Sequence, residues 1–372
     1  MIDLSLLRSL GAAEKSERLE ALKRAVEGAE FPPTDARMVN NHIHTTYSFS
    51  PYSPSAAVYA ARAEGLATCG IVDHDSIGGA EEFLAAGKIA GIPTTVGIET
   101  RVSFAETPLS RRRTNNPDQV GVSYMVLHAV PHANIGRVQA YFAPLREHRN
   151  VRNRAMVERI NALYRADGVS LDFERDVLPL SQYRDGGSVT ERHLMLALAK
   201  RLIALGKARL PEGAGEYETM LAEYDLVGAL KKDCIPKVFL DATNECPKLE
   251  EFVRFAAEVD GILAYAYLGD VTASVTGDKK AQKFEDDYLD ELFEVIDRSG
   301  VRAVTYMPTR NTQEQILRLR ALCERHGMLQ ISGEDINSPR QKFVIEKMKE
   351  AQFANLIENT WRLIRHENGE KE

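Results

Sequence analysis

Cysteine is scarce in this chain of 372 residues. It has four, Cys69, Cys234, Cys246 and Cys323, which lie far apart and form no CxxC pair. This spacing excludes a disulfide framework and a zinc site made of thiolates, and it favours a reducing compartment.

The sequence also lacks long apolar runs. No stretch of about 20 apolar residues occurs, so no membrane span is predicted. The N-terminus has a short apolar patch but neither a basic segment nor a long apolar one, and this pattern predicts no signal peptide. We therefore expect a soluble, cytoplasmic protein, while the oligomeric state stays open.

Positive charge is in the minority: the formal net charge is −7 and the pI is about 5.8. This balance argues against general binding to a nucleic-acid backbone, although it allows a local basic pocket for a small phosphorylated ligand. The hydrophobic content of 44% is enough to bury a large core. The length fits one large α/β domain with insertions, or two domains.

Short apolar runs alternate with helical segments over much of the chain, which favours a parallel sheet or an α/β barrel. The run at 36–39 is followed by further candidate strands at 67–72, 94–98, 123–130, 261–267, 302–306 and 328–332. Helical spacing predicts helices at 13–30, 55–64, 78–89, 282–298, 312–325 and 341–366.

The middle of the chain breaks this alternation. Residues 133–245 are mostly of helical pattern, and no clear strand appears in them until "KVFL" at 237. We interpret 133–245 as a helical insertion and 1–35 as an N-terminal helical extension. The α/β body then comprises 36–132 and 246–372.

Residue types that commonly act as metal ligands follow the apolar runs. His42 and His44 come after the first run, "DHD" at 73–75 after the second, and Glu99 after the third, with His128 and Asp335 near later run ends. In α/β barrels and parallel sheets the carboxyl ends of the strands meet at one edge, where sites are assembled. The two histidines of a His-x-His pair lie on one face of a strand.

Each of these features has a simpler explanation when taken alone. A "DHD" sequence is also typical of a turn or a helix cap, and a histidine such as His128 on an apolar run is more often a hydrogen-bonded core residue. Five such features at strand ends together indicate a metal site. Imidazole with carboxylate suits zinc, manganese or iron.

Five motifs, in this order and spacing, resemble those of the PHP (polymerase and histidinol phosphatase) family: "NHIHTTYS", "GIVDHDSIGGAEEF", "VGIET", "VLHAV" and "SGED". The resemblance covers about 36–130 and 260–340. It implies a distorted (β/α)7 barrel that holds metals at the C-terminal face of its strands, and most known members are phosphoesterases.

Carried over residue by residue, the resemblance implies a first metal site that keeps all its ligands: His42, His44, Glu99 and Asp335. A second site keeps the bridging Glu99 together with His128. A third would retain only His74.

Three positions depart from the family pattern. Phe49 stands where an aspartate is usual, Tyr265 is aligned with the histidine of an "AHP" motif, and Asn337 replaces the last histidine. We therefore expect one or two divalent ions rather than three.

The resulting hypothesis is a metal-dependent phosphoesterase that acts on a small phosphorylated metabolite or nucleotide through metal-activated water. Asp75 or His74 is the candidate proton carrier and Tyr265 a candidate hydrogen-bond donor. The candidate substrate-binding residues are Arg101, Arg192, His193, Arg310 and Asn337. Two alternatives stay open at this stage: a metal-dependent hydrolase or lyase of non-phosphate substrates, and a ligand- or metal-binding protein that has lost catalysis.

Overall fold

A computed structural model describes residues 4–271 and 282–370. Seven strands form one sheet in which spatial order follows chain order. The strands are β1 (Asp35–Ile43), β2 (Leu66–His74), β3 (Thr94–Ser103), β4 (Val122–His128), β5 (Ile262–Ala266), β6 (Ala303–Tyr306) and β7 (Leu329–Ser332).

The sheet curls until its two edges almost meet. The His44 amide donates to the Ile336 carbonyl over 2.9 Å, and the Ile336 amide donates to the His42 carbonyl over 3.1 Å. The Ser332 hydroxyl donates to the Val39 carbonyl. These bonds join β1 to the end of β7, so the sheet forms a nearly closed seven-stranded barrel and the predicted fold class is confirmed.

Twelve helices accompany the strands in the described ranges, with several short 3-10 turns. They are α1 (Leu4–Leu10), α2 (Lys15–Glu27), α3 (Pro54–Ala63), α4 (Ala80–Ala90), α5 (Ile135–Leu163), α6 (Glu191–Ala204), α7 (Glu216–Asp233), α8 (Ile235–Val238), α9 (Leu249–Glu258), α10 (Leu289–Ser299), α11 (Gln313–His326) and α12 (Ala354–Glu367). None of those described is long and apolar enough to span a membrane.

The sheet is not wholly parallel. Strand β4 pairs antiparallel with both β3 and β5, whereas the other neighbours are parallel. The C-terminal end of β4 therefore lies toward the N-terminal end of β3. A histidine at the end of β4 consequently enters the barrel at a deeper level than the ends of the other strands.

Three local predictions were wrong. The helix predicted at 282–298 begins only at Leu289, after a 3-10 turn at Asp286–Tyr288. "KVFL" is not a strand: Lys237 and Val238 end the short helix α8, whose first turn contains Pro236, a favoured position for proline. The predicted helix at 341–366 begins only at Ala354. Before it the chain forms 3-10 turns, because Phe343 and Met348 are buried by tertiary contacts.

Residues 133–245, all of them described, contain helices and turns but no strand. Their buried apolar side chains form a cluster separate from the main core, and Phe49 of the barrel joins that cluster. This arrangement matches the helical character expected of the insertion, although the division into domains stays a prediction.

The N-terminal extension and the last helix are fixed to opposite parts of the barrel. Arg18 of α2 forms a buried ion pair with Glu82 of α4. At the other end of the chain, Leu363 of α12 packs against the small residues Ala264 and Ala303 of the inner barrel.

An imidazole caps helix α6. The Thr190 amide donates to Nδ1 of His193 over 2.9 Å, and this contact is one half of a capping box. His193 is buried, and burial lowers its pKa to about 3. The ring is therefore neutral at physiological pH, as an acceptor at Nδ1 requires.

This cap makes stability depend on pH. A histidine whose folded pKa is lowered stabilises the fold fully above its ordinary pKa near 6.5, and this contribution is lost as pH falls because the unfolded chain takes up the proton. Between pH 6.5 and 4 the loss from His193 should reach about 3 kcal/mol. Urea unfolding of chelator-treated protein at several pH values measures it.

The variant His193→Gln keeps a side chain suited to the capping box but cannot titrate. We expect its free energy of unfolding to fall less steeply with acid than that of the wild type. His148→Gln, at an exposed position, serves as control and should follow the wild type. Equal slopes for His193→Gln and the wild type would contradict the assignment.

Candidate metal centre

The two histidines of the first motif lie at the C-terminal end of β1. His42 is in the strand and His44 follows it directly. Their ring centroids are 5.1 Å apart, and both rings are buried. The Asn40 side chain accepts from the His42 amide and also binds the loop after β7. The strand alternation and the closed barrel edge together direct both imidazoles to the same place.

Glu99 is the common partner of three imidazoles. Its Oε2 lies 3.5 Å from Nε2 of His42, 3.5 Å from Nε2 of His44 and 3.0 Å from Nδ1 of His74. The pairing of β2 with β3 sets His74 directly opposite Glu99, which explains this approach. His74, which the sequence left alone in a third site, therefore joins the same group.

Asp335 completes the cluster from the loop after β7. Its Oδ1 lies 3.3 Å from Nε2 of His44 and accepts a hydrogen bond of 2.6 Å from the Asn337 amide. The loop can approach β1 and β6 this closely because residue 333 is glycine: a Cβ there would lie 2.3 Å from Oγ1 of Thr305.

The spacing of these atoms fits a metal ion. With bonds of about 2.1 Å, the ligand atoms of a four- or six-coordinate ion lie about 3.0–3.4 Å apart. Among the described residues, ligand atoms converge within 4.8 Å in two overlapping groups: His42, His44 and Asp335, and His44, His74 and Glu99. Nε2 of His44 is buried without a hydrogen-bond partner although two carboxylates face it. Acceptor atoms that face one another without a hydrogen bond between them are typical of metal ligands and not of a hydrogen-bond network.

The carboxylates are held in their charged form. Burial alone would raise the pKa of Glu99, but His42 and His74 lower it by more, so it lies below its usual value. Asp335 behaves likewise beside His44. Burial lowers the pKa of His74, whereas Asp335 outweighs burial and raises that of His44. A divalent cation would displace the proton of His44 and neutralise both acids.

His128 lies deeper in the barrel than Glu99, by two residues along β4. Val126 is the direct partner of Glu99 in β4, so His128, two residues on, faces the same side of the sheet. Burial lowers its pKa to about 3, with the charge of His42 acting in the same direction. The neutral ring has a buried Nε2 without a hydrogen-bond partner, as a ligand would. His128 is nonetheless outside both converging groups.

Asp73 orients His44 through hydrogen bonds on the side away from the other candidate ligands. The sequence did not predict this role. Its carboxylate accepts from the Thr45 amide over 2.6 Å and from the Ser48 hydroxyl over 2.6 Å. Oγ of Ser48 in turn lies 3.4 Å from Nδ1 of His44. This chain orients the ring so that Nε2 faces the cluster, as outer partners of metal-bound histidines do. The only sequence signal was the position of Asp73 beside "HD".

Tyr265 is turned away from the centre. Strand register sets it beside Met125, on the face opposite Glu99, and its hydroxyl accepts from the Asn115 amide. The inward residues of β5 at this level are Ala264 and Ala266. The alignment with the family histidine thus falls on the wrong face of the strand.

Another tyrosine faces the centre instead. Tyr124 pairs with Arg101 and shares the face of Glu99, and its ring centroid lies 5.6 Å from that of His74. Its half-buried hydroxyl makes no hydrogen bond to any described residue. Burial raises its pKa, so the phenol is protonated at neutral pH and is available as a donor. Sequence reasoning missed it because it lies within an apolar run.

Asp75 and Arg101 belong to a buried ionic cluster that joins the barrel to the insertion. Its members are Asp75, Arg101, Arg149, Arg152, Glu191 and Glu245. Asp75 accepts from Thr100 and pairs with Arg149, and these arginine contacts outweigh burial and lower its pKa. Arg101 pairs with Glu191 and Glu245. These placements leave Asp75 ill suited to carry a proton and Arg101 ill suited to bind phosphate.

The remaining predicted substrate residues divide into two groups. Arg192 donates to Oδ1 of Asn337 over 2.7 Å, so both lie beside Asp335. Arg310 donates to the Leu268 carbonyl in the loop after β5, and His193 caps α6. Only the first pair adjoins the cluster in a way that leaves its polar atoms facing the site.

The cleft opens to solvent on one side. The side chain of Asp335 is 41% exposed and that of His74 is 26% exposed, whereas His44 is 1% exposed. A ligand can therefore reach the cluster past Asp335 and His74.

Comparison with known proteins agrees with the motifs. Residues 40–204 match the family model of the PHP domain. Among curated proteins, none matches the chain significantly.

Two solved structures share the fold. One is a protein from Bifidobacterium adolescentis described as a proposed metal-dependent phosphoesterase; it is 20% identical, with a TM-score of 0.60, and the match covers 91% of this chain and 98% of that one. The other is an amidohydrolase from Chromobacterium violaceum, 18% identical with a TM-score of 0.59, covering 82% and 89%. At these identities the likeness establishes the fold alone. The domain match confirms the resemblance drawn from the motifs: residues 40–204 of this chain match the PHP domain.

Proposed function

We propose that this protein is a metal-dependent hydrolase of the PHP type, and specifically a phosphoesterase that acts on a small phosphorylated metabolite or nucleotide. The observation that carries the proposal is the convergence of ligand atoms in two groups that share His44: one contains His42 and Asp335, and the other contains His74 and Glu99. Arg192 lies beside the first group through its hydrogen bond to Asn337. The name of the Bifidobacterium adolescentis protein agrees with a phosphoesterase, whereas the name of the Chromobacterium violaceum amidohydrolase agrees only with a hydrolase. The latter structure holds a sulfate ion, which has the shape of phosphate.

The ligand set determines what the site can do. His42, His44, Glu99 and Asp335 would hold one divalent ion, and His74 with Glu99 offers a place for a second. Such an ion supplies hydroxide at neutral pH and neutralises charge on a phosphoryl oxygen.

The surrounding residues would orient the substrate. Arg192 faces the cleft with a guanidinium suited to two phosphate oxygens, and Asn337 holds it beside Asp335. The protonated Tyr124 hydroxyl faces the same space and can donate a hydrogen bond to a substrate oxygen. The buried ionic cluster holds α6, the helix that carries Arg192, against α5.

Metal content and turnover should depend on the same residues. Protein purified without chelator should contain zinc, manganese or iron at about one to two ions per chain, measured by elemental analysis. It should hydrolyse members of a panel of phosphate esters, and chelation should abolish this activity reversibly. Because His42 supplies a ligand atom, His42→Ala should lower both the metal content and kcat/KM, the latter by about 100-fold or more.

His148→Ala is the matched control, since His148 is an exposed histidine far from the ligand set in sequence. It should retain metal and activity. A metal content near zero would instead support a binding protein without catalysis. Metal-loaded protein that turns over carboxylate or amide substrates but no phosphate ester would favour the non-phosphate hydrolase.

Tyr124 and Tyr265 should differ in their effect on turnover. Tyr124→Phe removes a donor that faces the centre, so kcat should fall by about 100-fold with little loss of metal. Tyr265→Phe removes a hydroxyl on the outer face, so it should change the melting temperature rather than kcat. Steady-state kinetics with thermal unfolding of both variants makes the comparison. A larger kcat effect from Tyr265→Phe would reject the assignment of Tyr124.

A further inference from the structure

The ring of His74 has few groups to orient it. Its Nδ1 lies 3.0 Å from Oε2 of Glu99, and within the described parts of the chain its other contacts are with the rings of His44 and Tyr124. An imidazole that binds a metal is usually oriented by a hydrogen bond at its second nitrogen, as His44 is by Ser48. The direction of His74 therefore depends strongly on its backbone.

The backbone directly after His74 has an unusual conformation. Asp75 has a φ of 51°, in the left-handed region that residues other than glycine rarely adopt. Its amide donates to the Glu99 carbonyl over 2.8 Å, so β2 stays paired with β3 up to this point. The strand then ends with His74 directly opposite Glu99, and the chain turns toward α4.

Four contacts hold Asp75 in this conformation. Besides the bond from its amide to Glu99, its carbonyl accepts from Arg146 over 3.2 Å, its Oδ1 accepts from Thr100 over 2.6 Å, and its Oδ2 pairs with Arg149. Both arginines belong to α5, so half of these contacts come from the helical insertion. Left-handed backbone of this kind persists where the surrounding structure fixes it, and it is concentrated at functional sites.

The two groups of converging ligand atoms differ in how they are held. The first joins His42 and His44 of the β1 end to Asp335, and main-chain hydrogen bonds between β1 and Ile336 bring them together within the barrel. The second adds His74 and Glu99 to His44, and the residue that follows His74 is fastened to α5. The insertion therefore bears directly on the second group.

We propose that Asp75 is a positioning residue: α5 holds it in the left-handed conformation, and Asp75 thereby fixes His74 as a ligand of a second metal ion. This inference rests on the proposed function, which places a second ion between His74 and Glu99. Occupancy of the second ion then depends on the insertion, whereas occupancy of the first does not. The insertion contributes to the metal centre in this way without supplying a ligand.

The experiment measures metal binding to the full chain. Chelator-treated protein is titrated with Mn²⁺ by calorimetry, and the wild type should bind about two ions with separable dissociation constants. Asp75→Ala removes both side-chain contacts and is less suited to left-handed backbone, so it should weaken the second ion by about 10- to 100-fold. The dissociation constant of the first ion should stay within about threefold of the wild type.

Asp260→Ala is the matched control for backbone strain. Asp260 has a φ of 53° and is exposed, and it precedes β5 at the end of the barrel away from the metal centre. Its variant should leave both dissociation constants within about threefold of the wild type. Thermal unfolding shows whether each variant is folded. Asp75→Asn, which tolerates left-handed backbone, should weaken the second ion less than Asp75→Ala does, and it replaces that variant if Asp75→Ala does not fold.

Two substitutions in α5 test the source of the constraint. Arg149→Met removes the ion pair with Asp75 and should weaken the second ion as Asp75→Ala does. Arg154→Met makes the same charge change on the same helix, where Arg154 pairs with the exposed Glu174, and it should leave both ions bound as in the wild type. Equal effects of the two α5 variants would overturn the dependence on the insertion.

The remaining outcomes separate this inference from the proposed function. Equal weakening of both ions by Asp75→Ala, or affinities like those of Asp260→Ala, would overturn the inference. A wild type that binds one ion would overturn it too, while leaving a hydrolase with one ion in place. Two ions with the expected dependence on Asp75, but no turnover of any phosphate ester, would sustain the inference and reject the phosphoesterase.

Discussion

The carboxylate of Glu99 is the constraint on which the site depends. One oxygen of this residue lies within 3.5 Å of three imidazoles that come from β1 and β2. A buried carboxylate is costly unless a positive charge shares the space. The barrel must therefore close around a positive charge, and the hydrogen bonds from β1 to the loop after β7 bring Asp335 into the same group.

A second set of charges connects this centre to the helices outside the barrel. Glu191, at the start of α6, accepts from Arg101 of β3 and from Arg149 and Arg152 of α5. Breaking a buried pair by removing one partner is strongly destabilising, so the position of α6 is fixed relative to β3. Arg192 follows Glu191 directly. The ionic cluster therefore determines where Arg192, the proposed substrate-binding residue, lies, whereas its own arginines are paired with Asp75, Glu191 and Glu245.

Much of the candidate site could be read from the sequence because its ligands occur in short motifs at strand ends. The alternation of side chains along a strand and the shared edge of a barrel were enough to predict His42, His44, Glu99 and Asp335. The direction in which Tyr265 points depends on strand register, which a single sequence does not determine. A shift of one residue moves a side chain to the other face of the sheet. Asp75 and Arg101 were misjudged because their partners lie in α5 and α6, distant in sequence.

Phe49 connects the barrel to the helical insertion at the position where the resemblance places a metal ligand. Where the family usually has an aspartate, this ring packs into the apolar cluster of the insertion, edge-on to His193 and 5.3 Å from Tyr224. The Arg192 guanidinium lies 5.9 Å from its centre. An aspartate here would offer a ligand but would leave α6 and α7 without this contact. The ring of Phe49 therefore fixes the position of α6, which carries Arg192, against the barrel.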